Sequence, residues 1–292
     1  MPARTAPAKI NLALHVTGQR DDGYHLLESL VVFTTLGDVV SATPDAADGL
    51  VVEGPEASAL AGEAQTDNLV ARARDVLRQA ALAKGKAAGP VNIRLDKRLP
   101  VASGIGGGSA DAAATLQLLA ELWDYHPDHE AMMRLGLRLG ADVPMCLAGR
   151  PLLARGIGEA LTPTKLGFSL DLVIVNPRIG IATPAVFAAL ENSENPPLPQ
   201  LPARGFTDRE ALLAWLRQTR NDLQTPARGT VPAIADCLDA LNDAGARLAR
   251  MSGSGASCFG IFDGPQAAQE AAARLQRTRP GWFVVATSTL PA

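Results

Sequence analysis

Pro100-Val101-Ala102-Ser103-Gly104-Ile105-Gly106-Gly107-Gly108-Ser109-Ala110-Asp111-Ala112 is the stretch whose reading decides this chain. The apolar and basic run Val91 to Leu99 leads into it and reads as a strand, and the run Ala112 to Trp123 leads out as a helix. Four glycines in five positions therefore stand between a strand and a helix. Glycine lets main-chain N–H groups approach a ligand with no Cβ in the way. A helix start adds unsatisfied donors and a partial positive charge. The combination is an anion cradle suited to phosphate. On the residues alone, a mobile turn with Ser109 as helix cap stays open.

Three common phosphate loops do not fit. No Lys follows Gly108, so the Gly-Lys-Ser/Thr ending of a Walker A loop is missing. The G-x-G-x-x-G fingerprint fails from Gly104, where its last position is Ser109, and from Gly106, where it is Asp111. His-Arg-Asp and Asp-Phe-Gly occur nowhere, which excludes the protein-kinase set.

Working outward, 292 residues suffice for one large domain or two moderate ones, and 47% hydrophobic content favours a packed core over disorder. Twenty-seven Lys and Arg against 30 Asp and Glu give a net charge of −3, which argues against a nucleic-acid surface. Cys146, Cys237 and Cys258 are odd in number and widely spaced, and read as thiols of a reducing compartment. The first residues lack a signal peptide's apolar core and no window is apolar enough to span a membrane, so a cytoplasmic protein is expected. Asn192 to Pro202 carries four prolines and reads as an exposed irregular loop.

Lys9 to His15 alternates, with Ile10, Leu12 and Leu14 on one face: a half-buried strand. By itself Lys9 reads as an exposed strand lysine, and Tyr24-His25 closes a turn begun at Gly18. A helix from Thr66 to about Ala83 would be capped by Thr66, Asp67 or Asn68. His126, His129 and Glu130 do not make a metal set, since Pro127 interrupts them and no carboxylate cluster converges. Asp142, in Leu139-Gly-Ala-Asp-Val-Pro144, is either a turn-forming residue or a desolvated carboxylate fit for base chemistry. Pro144 is expected to prevent the helix from continuing, and Thr183-Pro184 to cap and begin a short one. Met251 to Ala256 is a second small-residue loop between two strands.

These motifs resemble the GHMP kinases. The loop 100–110 is similar to their Pro-x-x-x-Gly-Leu-Gly-Ser-Ser-Ala segment, with Ile105 for Leu and Ala110 for the second Ser. Gly140-Ala-Asp-Val-Pro144, Thr183-Pro-x-x-x-Phe187 and Ser252-Gly-Ser-Gly-Ala256 follow in family order. Pro7-Ala-Lys-Ile-Asn-Leu and Asp22-Gly-Tyr-His25 resemble the branch that acts on cytidine-diphosphate-linked methylerythritol in the non-mevalonate isoprenoid route.

The resemblance implies a mixed α/β protein of two domains, residues 1–166 binding ATP and 167–292 following, with the active site in the cleft between them. It implies ATP-dependent phosphorylation of the substrate's 2-hydroxyl. Lys9 and Asp142 would be the catalytic pair, within salt-bridge or one-water distance, Asp142 taking the proton and Lys9 neutralising charge. Pro100, Val101, Ala102, Ser103, Gly104, Ile105, Gly106, Gly107, Gly108, Ser109 and Ala110 would hold the triphosphate, with Mg2+ carried on ATP near Ser109. Asn68, Leu69 and Lys97 would lie near adenine; their plain alternatives are capping, core packing and a solvated strand end. Tyr24 and Phe187 would sandwich the cytosine, His25 would hydrogen-bond it, and Asn11 would lie beside the substrate. The expected partner is this small molecule, with no nucleic acid or membrane, in a monomer or homodimer. Another small-alcohol kinase of the family and a non-catalytic nucleotide-binding module are the competing readings.

Overall fold

Two long strands open the structure. This is a computed structural model, and it describes residues 2–62, 64 and 67–291. Strand β1 (Ala3–Gln19) pairs with β2 (His25–Pro44), and both are longer than the alternation at 9–15 predicts. Residues 8–16 of β1 are buried on both faces, so Lys9 and Asn11 lie in the interior rather than on a solvated edge.

The chain divides into two compact units that are not two successive stretches. The first holds residues 1–8, 37–101 and 106–149; the second holds 9–36, 102–105 and 150–292. The reason is the length of β1 and β2, each of which contributes to both units.

In the first unit, β3 (Gly49–Glu53) lies parallel to β4 (Val91–Asp96), and β4 pairs antiparallel with residues 39–44 of β2. Helix α1 (Leu69–Ala83) packs on α2 (Gly107–Leu122), and α3 (His129–Leu137) and α4 (Val143–Ala148) pack around them. Eleven of the sixteen residues of α2 are buried, as its run of alanines and leucines requires: a helix apolar all round belongs inside. Asn68 caps α1, its side chain accepting from Val70 N–H at 2.9 Å; Thr66 lies outside the described residues. Helix α3 stops at Leu137, before Pro144, as expected, and the proline belongs to the next helix. It sits in the first turn of α4, where its missing N–H costs nothing, and Asp142 is the N-cap residue.

In the second unit, the N-terminal part of β2 pairs with β5 (Leu152–Gly156), which forms a hairpin with β6 (Ala160–Pro163). The short helices α5 (Thr183–Ala188), α6 (Arg209–Leu216) and α7 (Gln224–Thr230) follow β7 (Asp171–Asn176). Then come α8 (Ala233–Asp243), β8 (Leu248–Met251), β9 (Cys258–Phe262), α9 (Pro265–Thr278) and β10 (Phe283–Ser288). The four strands form an antiparallel sheet in the order β10-β7-β9-β8, with α8 and α9 against it. All six residues of β7 are buried, matching its unbroken apolar run. Leu14, Val16, Val173, Phe262, Leu241 and Leu275 are among the residues that close this core.

The proline-rich segment 192–202 is irregular, as expected, but it is pinned. His15 Nδ1 and the Arg220 guanidinium both reach the Pro196 carbonyl, at 3.0 and 2.9 Å. Leu198 is buried. The three cysteines are free and buried. Among the described residues no helix is long and apolar enough to cross a membrane.

Candidate active site

The glycine loop is shorter than its glycines suggest. Helix α2 already begins at Gly107, and Gly106, at φ 68°, is its N-cap; Ser109 is inside the first turn and caps nothing. Positive φ recurs at alternate residues, Ala102, Gly104 and Gly106. That alternation turns successive N–H groups to one concave side. Ala102 is not a glycine, and its φ of 50° marks a held conformation.

The carbonyls show which side is concave. Ser103 C=O accepts from Ser257 N–H at 3.0 Å, and Ile105 C=O accepts from Lys9 N–H at 2.9 Å. Between them, Gly104 C=O accepts from the Ser252 hydroxyl at 3.1 Å. Three successive carbonyls thus face the interior of the second unit. In a planar trans peptide the N–H of the next residue points the opposite way. The N–H groups of Gly104, Ile105 and Gly106 therefore point away from these three partners. The groups that hold the loop this way are Lys9 on β1 and the late loop Ser252–Ser257.

The late loop is itself held. Asn221 donates from its amide to the carbonyls of Met251 and Gly253, both at 2.8 Å, and accepts from Leu223 N–H at 3.0 Å. Gly253 needs its glycine: a Cβ there would stand 2.7 Å from the Gly104 carbonyl oxygen. The Thr183 hydroxyl meets that of Ser254 at 2.8 Å, so Thr183 is tied to the late loop and does not cap α5, whose N-cap is Ala182. Arg250 supports all of this from below. Its buried guanidinium donates to Leu12 C=O, Thr219 Oγ1, Leu216 C=O and Thr219 C=O, at 2.7 to 2.9 Å. Burial brings its pKa down to about 10. A single arginine on a short strand carries no sequence signal for this role, and none of the readings from sequence found it.

Lys9 is buried, and its ammonium donates to Asn11 Oδ1 at 3.1 Å. The Asn11 amide nitrogen donates in turn to Ser29 Oγ at 2.8 Å, and Asn11 N–H donates to Ser252 Oγ at 3.1 Å. Asn11 therefore aims Lys9 and links β1 to the late loop. Asp142 is half-buried, and its side chain does not serve as the capping acceptor of α4.

The expected base-reading residues divide. His25 stacks on Phe187, ring centroids 4.8 Å apart at 24°, whereas Tyr24 is 59% exposed. Burial holds His25 below the usual histidine range, which keeps a neutral ring with one donor and one acceptor. In the first unit, Leu69 packs beside Gly108: a Cβ on that glycine would lie 3.4 Å from Leu69 Cδ1. Asn68 spends its side-chain oxygen on the cap of α1. Lys97 is buried, with its ammonium between Asp38 and Asp111. Gly107 faces that ammonium, so its lack of a side chain makes room for Lys97 and not for a ligand. Among the described residues no group of three His, Cys, Asp or Glu could hold a metal ion.

Residues 68–150 match the GHMP kinases N terminal domain, and residues 198–280 match the GHMP kinases C terminal domain. The chain is 51% identical over 285 residues to a 4-diphosphocytidyl-2-C-methyl-D-erythritol kinase of Agrobacterium fabrum, covering 98% of this chain and 95% of that protein. It is 52% identical to one of Paracoccus denitrificans over 287 residues, with 98% and 96% covered. The crystal structure of a 4-(cytidine 5'-diphospho)-2C-methyl-D-erythritol kinase superposes with a TM-score of 0.81 at 34% identity, over 100% of both chains.

Proposed function

The chain belongs to the GHMP kinases, in the 4-diphosphocytidyl-2-C-methyl-D-erythritol kinase family, and from that membership and the loop geometry we infer how it acts. It is an ATP-dependent kinase that phosphorylates the 2-hydroxyl of 4-diphosphocytidyl-2-C-methyl-D-erythritol for isoprenoid precursor synthesis. The observation that carries the mechanism is the set of three inward carbonyls at Ser103, Gly104 and Ile105. They leave a row of outward N–H donors at a helix start, the arrangement a triphosphate needs.

Phosphoryl transfer asks mainly for positioning and for charge to meet the transferring group. The loop and the first turn of α2 hold the β- and γ-phosphates. Mg2+ would be carried on the phosphates of the nucleotide, since N–H groups bind anions and not cations, and the Ser109 hydroxyl on the first turn of α2 would be the protein oxygen available to it. When bound, it neutralises phosphate charge. Lys9, aimed by Asn11, supplies positive charge where the phosphoryl moves. Asp142 accepts or orients the proton of the attacking hydroxyl. Phe187 and His25 form a flat wall for the cytosine, with exposed Tyr24 the second face once substrate is in place.

The test is a coupled ADP assay on the full chain with the cytidine substrate, followed by 31P NMR of the product. A new phosphomonoester on the 2-carbon is expected. ATP binding with no ADP release in the presence of substrate would contradict this function and favour a non-catalytic nucleotide-binding module.

A further inference from the structure

Three charged side chains lie buried beneath the glycine loop. Asp38 is 0% exposed, Lys97 2% and Asp111 2%. They come from different elements: Asp38 from β2, Lys97 from just past β4, and Asp111 from α2. The Lys97 ammonium pairs with Asp38 and donates to Asp111 Oδ2 at 2.8 Å. The other Asp38 oxygen accepts the main-chain N–H groups of Arg98 and Leu99, at 2.5 and 2.8 Å. The segment entering the loop is thus bonded to Asp38, and the helix leaving it is bonded to Lys97.

The backbone of Lys97 is also committed. Its N–H donates to Glu53 C=O at 2.7 Å, and its own carbonyl accepts from Glu56 N–H at 3.0 Å. The first turn of α2 rests on the cluster, since a Cβ at Gly107 would lie 3.1 Å from Lys97 Nζ and 3.6 Å from Asp38 Oδ2.

Such a cluster is a poor way to gain stability. Taking charges out of water costs about as much as their attraction returns, and apolar packing often does better. It is also incompletely satisfied, because Asp111 Oδ1 is buried with no hydrogen-bond partner. Burial pushes the Asp111 carboxyl upward, and the ammonium of Lys97 pulls against it. Burial works to lower Lys97 as well, but Asp111 and Asp38 outweigh it and hold the ammonium above the usual lysine range. What the cluster does provide is geometry. One cation fixes the distance between the two stems of the loop.

We propose that Asp38, Lys97 and Asp111 form a buried ionic staple that sets the spacing of the glycine-loop stems, and so the alignment of the first N–H groups of α2 with the triphosphate. This rests on the reading of the loop as the triphosphate site. It makes Lys97 a positioning residue acting through the loop, in place of the adenine contact that its sequence position suggests.

The two roles separate by what they do to the base. Calorimetry on the full chain would compare ATP, GTP and inorganic tripolyphosphate, for the wild type and for Lys97→Met. Met keeps the length of the side chain and removes its charge. The staple predicts that all three ligands weaken by a common factor of about tenfold or more, the size of a misplaced positioning group, with the ATP-to-GTP ratio unchanged. It also predicts that kcat at saturating ATP falls much less than the KM for ATP rises. Asp111→Asn, which keeps volume, is expected to show the same base-independent loss and carries the test if Lys97→Met does not fold. A loss confined to ATP, with tripolyphosphate unaffected, would overturn the proposal and put Lys97 on the base. Unchanged affinity for all three in a folded variant would also overturn it. Wild-type protein that binds neither ATP nor tripolyphosphate would instead refute the site reading beneath it.

Discussion

The main-chain N–H of Lys9 donates to the carbonyl of Ile105 at 2.9 Å. One bond thus joins the strand that carries the ammonium to the glycine loop. Because the bond is made by backbone, it survives any substitution at Lys9 except proline. Side-chain changes there remove the ammonium and its bond to Asn11 Oδ1 while leaving this backbone tie in place.

Lys9→Ala should accordingly keep its nucleotide affinity and lose turnover, through lost charge stabilisation of the transferring phosphoryl. Asp142→Asn is nearly isosteric and can still bond a hydroxyl, but it cannot take a proton. Turnover should fall by roughly two to four powers of ten with little change in substrate affinity. Single-turnover kinetics with ATP and substrate both saturating would measure each. Near-normal rates for Asp142→Asn would leave the chemistry to positioning and the metal alone.

Gly104→Ala tests the inward carbonyls. Gly104 sits at φ 76°, and a Cβ there would stand 2.8 Å from both the nitrogen and the oxygen of Gly255. Left-handed backbone costs an alanine roughly 1–2 kcal/mol, and the clash adds to it. The expected outcome is a KM for ATP raised about tenfold or more in a protein with native circular dichroism. Unchanged ATP affinity would mean that the turn at 102–106 does not set the cradle. Gly107 is the wrong place for this experiment, because a side chain there strikes the Lys97–Asp38 pair first.

Much of the site was legible in order and little of it in depth. The glycine run marked the turn between β4 and α2, because a glycine-dense stretch between strand and helix has few other uses. The exact start of α2 was hidden, since Gly107 and Gly108 read as loop by propensity and only tertiary packing of Ala110 to Ala120 draws them into the helix. Alternation at 9–15 predicted a strand but not its double-sided burial, because alternation reports one sheet face and says nothing of what covers the other. Lys97 and Arg250 show the general limit. A buried cation looks like a surface one in sequence, and its partners, Asp38 and Asp111 for one and the carbonyls of Leu12 and Leu216 for the other, are brought only by the fold. Helices α6 and α8 carry ordinary amphipathic patterns that motif-led reading passed over.

His15 gives a pH prediction. Its Nε2 accepts the Arg220 N–H at 3.1 Å while Nδ1 donates to Pro196 C=O, so the ring is held neutral. Burial is the main reason that its folded pKa lies below 6.5, with nearby Arg220 adding to the effect. The unfolded chain then binds the proton more readily, and stability falls as pH drops through 6.5 toward the folded value. Thermal melts of wild type and His15→Gln should differ most above pH 7 and converge toward pH 5. A difference constant across that range would show that His15 is not held neutral by the latch on the proline-rich segment.

Substrate choice separates this kinase from the other small-alcohol kinases of its family. Purified full-length protein with ATP and Mg2+ would be offered 4-diphosphocytidyl-2-C-methyl-D-erythritol, methylerythritol phosphate, mevalonate and homoserine, and kcat/KM measured for each. A site that hydrogen-bonds a base edge discriminates by about four to five powers of ten against ligands that leave its polar groups unpaired. The account predicts turnover of the cytidine-bearing substrate alone, with Phe187→Ala raising its KM because the wall that His25 stacks on is gone. Comparable turnover of mevalonate or homoserine would contradict it.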